Sequence, residues 1–199
     1  MKRAFRWLGL LFLVVLLAGY RAKEPTIKAP AAEMNLTGDS LGKPATTAVE
    51  NGREEVLQLV YQEPADTRLA TDASMRTFTF SNTQLIAAVL VLDSSATAKG
   101  ALRDARENFE KGLEDGLESD AGQNVDLTMQ DLNPAQAGEE GFFVGTDLPA
   151  EKGKVYFLSF RKNNVLVLLV GHGPAAELEE GWVRDLAQKM AGRLPAATP

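Results

Sequence analysis

Along the chain, the pattern of apolar and polar positions changes period several times. Met75 to Phe80 alternates in twos, with Phe78 and Phe80 on one face and Thr77 and Thr79 on the other, which predicts a strand. Ser81-Asn82-Thr83 supplies turn residues. Gln84 to Leu92 is apolar at almost every position, as expected of a central strand covered on both faces. The two segments read as a hairpin. Asp93, Ser94 or Ser95 is placed to cap a helix. Leu102, Ala105, Phe109, Leu113 and Leu117 then recur at helical spacing, and the helix is predicted to end near Gly122. Arg103, Asp104, Glu107, Glu110, Lys111 and Glu114 fall on its wet flank.

The second half shows the same changes of period. Val125 to Leu132 alternates weakly, like a half-exposed strand, until Asn133-Pro134 interrupts it. Gly141 to Thr146 reads as a short strand, followed by a turn-rich loop over Pro149 to Gly153. Lys154 to Arg161 and Asn164 to Val170 form the clearest hairpin, because Asn163-Asn164 tolerates the positive φ of a tight turn. Gly171-His172-Gly173-Pro174 reads as the close of that strand. A last helix presents Leu178, Trp182, Val183, Leu186, Ala187, Met190 and Leu194 before Pro195 stops it. Arg53 to Gln62 fits two periods: Val56, Leu57, Leu59 and Val60 suit a short helix, and Leu57, Leu59 and Tyr61 suit a strand face. The helical reading is preferred, running into an extended segment that Pro64 ends.

These elements predict an α+β domain: an antiparallel or mixed sheet of about five to six strands with two main helices packed on it. Two strands apolar on both faces imply cover on both sides of the sheet, hence a three-layer sandwich. A hairpin followed by a helix occurs twice, over 75–118 and 154–194.

The N-terminus has a different pattern. Lys2, Arg3 and Arg6 precede an apolar run from Trp7 to Ala18, the charged-then-apolar order of a secretory signal. The run falls short of the ~20 residues of a spanning helix. Leu17-Ala18-Gly19 is similar to the tripeptide that precedes the lipidated cysteine of bacterial exported lipoproteins. That resemblance covers the signal segment and implies export to the periplasm or cell surface. Tyr20 stands where the cysteine would be, and a phenol cannot form the thioether, so the lipidation position is lost. Three readings follow: cleavage by ordinary signal peptidase, retention as a weak membrane anchor through residues 7–20, or recent replacement of an ancestral Cys. Residues 21–52 are rich in Ala, Pro, Thr, Lys and Gly and read as a disordered linker. The expected organisation is therefore a signal segment over 1–20, a linker over 21–52, a single domain over 53–194 and a tail over 195–199. The layout also resembles, in outline, small exported α+β lipoproteins and the sheet-and-helix accessory proteins of photosystem II, which implies architecture alone.

Charge and composition narrow the chemistry. At 45% hydrophobic and 24% charged the chain is globular in composition. Removing the three basic residues of the first twenty takes the net charge from −6 to −9. Such acidity, with no basic stripe, argues against nucleic acid as a partner. The absence of cysteine excludes disulfides, thiolate catalysis and Cys-based metal sites.

His172 is the only histidine and sits between two glycines, so a nitrogen-ligated metal site would lack a second imidazole. Without a Gly-x-Ser-x-Gly elbow, a serine hydrolase triad has no support. Glu107, Glu110, Glu114, Asp115, Glu118 and Asp120 have hard-cation chemistry but the spacing of a solvated helix face, with Arg103, Arg106 and Lys111 interleaved. Asp147 and Glu151 form a candidate carboxylate pair for hydrolysis. Arg161, Tyr156 and His172 are the candidate ligand-binding residues, in a half of the chain rich in Phe142, Phe143, Phe157 and Phe160. No catalytic residue, metal or cofactor is expected. The expected function is that of an exported, non-enzymatic domain binding an envelope protein or a small ligand. The alternatives are a carboxylate-based hydrolase and a structural or assembly subunit.

Overall fold

A computed structural model describes residues 24–51, 53–61, 70–121, 128–131, 137–148 and 153–198. Residues 1–23, with the expected signal segment and Tyr20, lie outside them, as does Glu151. In chain order the elements are α1 (Ala31–Met34), a 3₁₀ turn (Gly38–Leu41), β1 (Thr47–Asn51), α2 (Arg53–Tyr61), β2 (Ala70–Phe80), β3 (Thr83–Leu92), α3 (Ser95–Ala121), β4 (Thr128–Asp131), β5 (Glu140–Leu148), β6 (Gly153–Lys162), β7 (Val165–Pro174) and α4 (Glu180–Arg193).

The strands form one sheet in the order β1-β2-β3-β7-β6-β5-β4, with every neighbouring pair antiparallel. The fold is α+β. The six strands legible in the hydrophobic pattern are all present, and β1 is a seventh. Two hairpin turns use a left-handed residue, Ser81 (φ 52°) between β2 and β3 and Asn163 (φ 55°) between β6 and β7. The ambiguous 53–62 segment resolves as helix α2.

The strand alternation builds two cores, one on each face of the sheet. Phe78, Leu85, Val89, Tyr156, Leu158, Phe160, Val167 and Leu169 lie on one face with Val183, Leu186 and Met190 of α4. Ala88, Leu90, Phe142, Phe157, Leu166 and Leu168 lie on the other, against Val56, Leu57 and Val60 of α2 and Ala98, Leu102 and Ala105 of α3. This is the three-layer arrangement that the doubly apolar strands β3 and β7 require. The two hairpin-then-helix units put their helices on opposite faces. α3 also carries the chain from the sheet's centre to its β4 edge.

The linker reading of 21–52 is corrected by the fold. Residues 24–46 run as a strap across the α4 face, and Ile27, Ala31, Met34, Leu36 and Leu41 are each no more than 2% exposed. Asn35 is fully buried; its Nδ2 donates to the Ser74 carbonyl at 3.1 Å and the Ala87 carbonyl at 3.0 Å, and its Oδ1 accepts from the Leu36 N–H at 2.7 Å. Arg76 donates to the Leu36 carbonyl at 2.6 Å, and Trp182 Nε1 to the Leu41 carbonyl at 2.9 Å. Average composition conceals this because few residues do the work. One apolar side chain every few positions suffices, Pro30 directly precedes α1, and Gly42 (φ 64°) ends the 3₁₀ turn.

The 195–199 tail is corrected likewise. Ala197 packs on the core, and Thr198 exchanges two backbone hydrogen bonds with Thr26, at 2.9 and 3.0 Å.

Gly171-His172-Gly173-Pro174 closes β7 as expected and stays within its ladder, with His172 paired in register to Gln84 and Val155. Its glycines serve close approach. A Cβ on Gly173 would lie 2.9 Å from Thr83 Cα, and one on Gly171 would lie 3.0 Å from Leu178 Cδ1.

Candidate functional site

A cleft of about 740 Å³ lies between the first turns of α3 and the β4–β5 edge. Leu102 and Phe142 give it an apolar base. Lys99, Arg103 and Arg106 project from one flank of α3, three or four residues apart and therefore on one stripe. Asp131, Glu139 and Glu140 stand opposite on the sheet edge.

The charges across this cleft are matched. Arg106 donates to Asp131 Oδ1 at 2.9 Å, and its guanidinium lies 5.6 Å from the Phe142 ring centroid. Arg161 lies at the base of the acidic wall, its side chain only 13% exposed. It donates from Nη1 to Glu139 Oε2 at 2.9 Å and from Nε to Glu140 Oε2 at 3.0 Å, and approaches Ser95 Oγ at 3.5 Å. Arg103 is different. It meets Asp104 at 3.1 Å and Glu107 at 3.8 Å with its side chain 69% exposed, and such pairs contribute under about 1 kcal/mol. Arg103 can therefore turn toward an incoming anion at little cost.

The residues singled out in the sequence do not form one site. Tyr156 lies on the α4 face, 6% exposed, its ring stacked on Phe143 with centroids 5.4 Å apart. It borders a separate hollow of about 160 Å³ with Asp147, Lys154 and Glu180. The Tyr156 phenol and the Asp147 carboxylate raise the Lys154 ammonium above its usual range. Arg161 and His172 share the α3 face but sit at opposite ends of their strands. Arg161 pairs with Leu166 and His172 with Val155, six positions along β6, or about 20 Å. His172 is exposed and takes no part in the cleft. Of the three, only Arg161 touches the cleft's lining, behind which it binds the Glu139 and Glu140 carboxylates.

The carboxylate pair Asp147 and Glu151 cannot be assembled from the described residues, and Asp147 is ion-paired to Lys154 at 3.5 Å. Glu110 pairs with Arg106 at 3.8 Å. Among the described residues, no three His, Asp or Glu side chains gather as a metal site, and no helix is long and apolar enough to cross a membrane.

The cleft residues Lys99, Glu139 and Glu140 were not singled out in the sequence as a site, whereas Phe142 was among the aromatics marking the candidate binding half. A basic flank at positions 99, 103 and 106 was legible as a helix stripe. Its apposition to Glu139 and Glu140 depends on α3 crossing the sheet. Phe142 and Phe143 point to opposite faces, and an arginine covers each ring. Arg184 of α4 lies 4.1 Å from the Phe143 centroid and bonds Gln130 at 3.0 Å, mirroring Arg106 on Phe142 and Asp131. The β4 edge is thus gripped from both layers.

No family model matches the chain, and no curated protein matches it. Among solved structures, the crystal structure of the extracellular domain of PknH from Mycobacterium tuberculosis is similar, with a TM-score of 0.55 at 10% identity, covering 86% of this chain and 97% of that one. At that identity the likeness is one of fold alone.

Proposed function

We propose that the protein is an extracytoplasmic, non-enzymatic binding domain that takes an envelope component or a small ligand in the cleft between α3 and β5. The observation that carries this reading is the cleft itself, about 740 Å³ with an apolar base and the weakly held Arg103 at its rim. A volume of that order suits a small organic ligand or a peptide segment. The basic-then-apolar order of residues 1–18 supports the location. The similar PknH domain is described as extracellular, which is consistent with it. Glu139 and Glu140 are both bonded to Arg161, which favours a binding wall over a hydrolytic carboxylate pair.

Gly100 lines the cleft, and a Cβ added there meets nothing within 4 Å. Gly100→Leu therefore plugs the cleft without disturbing the core. The test is a thermal-shift and NMR screen of envelope-derived small molecules and peptides against wild type and Gly100→Leu. Expected are hits whose amide shifts map to α3 and β5 and which the variant weakens at least tenfold. A screen without hits, or hits unaffected by the plug, would sink the proposal.

A further inference from the structure

We infer that the protein is held end-on at the membrane surface, with the Asn163–Asn164 end of its sheet facing the lipid headgroups. This goes beyond the ligand-binding reading and does not depend on it. Residues 7–20 are the expected membrane-contacting segment, and 21–52 reads in the sequence as a linker behind them. The fold removes the spacer. Thr26 is already locked to Thr198 by two backbone hydrogen bonds. The Ile27 N–H donates to Asn164 Oδ1 at 2.6 Å, and Ile27 is 2% exposed. Five residues separate Tyr20 from Thr26, a reach of at most about 20 Å over the six steps. A domain of this size is about 40 Å across. A tether shorter than the domain's own width restricts which end approaches the bilayer.

The end so placed is defined by several elements. Asn164 Nδ2 donates to the Leu92 carbonyl at 2.9 Å, so the β6–β7 turn and the end of β3 meet there. Ala70, the first residue of β2, pairs with Leu92. A hollow of about 420 Å³ opens at this end among Lys28, Pro30, Asp72, Asp93 and Asn164. The opposite end carries Ser81, Asn82 and Glu177. The ten residues of β3 put about 30 Å between the two ends. Arg21 and Lys23 lie between the apolar run and the fold, where cations favour an anionic headgroup layer. The partner is therefore a lipid surface, met by one end of the sheet. Glu139 and Glu140 of the cleft lie toward that same end, where Glu140 pairs in register with Arg161.

The chain has no cysteine, so single cysteines report without background. The full chain is reconstituted into phosphatidylcholine–phosphatidylglycerol vesicles carrying a nickel-chelating lipid, with a spin label at Lys28→Cys or Asn82→Cys. Both positions are exposed. Relaxation enhancement at position 28 should exceed that at position 82 at least fivefold. Equal enhancement at the two positions, a larger effect at 82, or failure of the chain to associate with vesicles overturns the inference. Mass spectrometry of the protein from its own host provides an independent test. Recovery in membranes with residues 1–20 retained supports end-on seating, whereas a soluble form beginning after Tyr20 overturns it.

Discussion

Asn164 holds Ile27 by both backbone groups: Oδ1 accepts the Ile27 N–H at 2.6 Å and Nδ2 donates to the Ile27 carbonyl at 3.2 Å. The pair joins residues 137 positions apart and is the clasp between the N-terminal strap and the β6–β7 hairpin. Because Asn164 is only 2% exposed, its removal leaves the Ile27 and Leu92 backbone groups without a partner in a dry site. Each such group costs about 1–3 kcal/mol. Asn164→Ala should therefore destabilise by about 2–4 kcal/mol, read as a lower urea midpoint. A loss under about 0.5 kcal/mol, the scale of ordinary surface substitutions, would mean that the clasp contributes nothing.

The strap makes a larger prediction. Burial of a large aliphatic side chain contributes about 1.5–3 kcal/mol. Ile27, Met34, Leu36 and Leu41 are all buried to within 2%. Their combined contribution rivals the ~5–15 kcal/mol total stability of a typical domain. A chain beginning at Thr47 should show no cooperative unfolding transition by circular dichroism. If 21–52 were a spacer, that truncation would unfold like the full chain.

Two glycines should respond in opposite directions to the same substitution. Gly100 lies inside α3 with nothing within 4 Å of an added Cβ. Gly100→Ala should stabilise by about 0.5–1 kcal/mol, the helix-interior penalty of glycine. Gly138 has φ +66°, and an added Cβ would strike the Arg161 carbonyl. Gly138→Ala should destabilise by about 1–3 kcal/mol through left-handed strain and backbone clash. Chemical denaturation of the two variants side by side checks both signs.

Alkaline pH should weaken the α2–α3 contact. Burial, aided by the Asp104 carboxylate, raises the Tyr61 phenol above its usual 10.0. The unfolded chain therefore releases this proton at a lower pH than the folded one. The Tyr61 contribution is fully present below pH 10 and is lost as pH rises from there through the folded-state value. Tyr61→Phe should flatten the fall in melting temperature across that window. An unchanged slope would remove Tyr61 as its cause.

Removing Arg161 should affect the cleft more than the fold. Arg161→Ala leaves Glu139 and Glu140, half-exposed and solvated, without their shared cation. Stability should fall by about 1–2 kcal/mol, in the range of charged hydrogen bonds. Affinity for an anionic ligand should fall at least tenfold as the acidic wall becomes uncompensated. Isothermal titration with the best screening hit reads this, and unchanged affinity would place ligand binding elsewhere.

The sequence by itself determined the elements and their class. Period-two alternation in Met75–Phe80, the doubly apolar run of Gln84–Leu92 and the Asn163-Asn164 turn each specify local structure through contacts a few residues apart. The predominance of hairpins predicted an antiparallel or mixed sheet, and β3 and β7 predicted cover on both faces; the fold makes every pair antiparallel. Tertiary structure decided what depends on distant partners. Ile27, Met34, Leu36 and Leu41 lie in a composition that reads as linker, and only the α4 face of the sheet gives them something to bury against. Gly171 and Gly173 read only as the close of a strand, and the approach of Leu178 and Thr83 is what requires glycine there. The cleft arises because α3 crosses from the centre of the sheet to its edge and brings Arg103 and Arg106 opposite Glu139 and Glu140. Local periodicity fixes which way a side chain faces along its own element; what it faces is set by chain crossings that no short window of sequence contains.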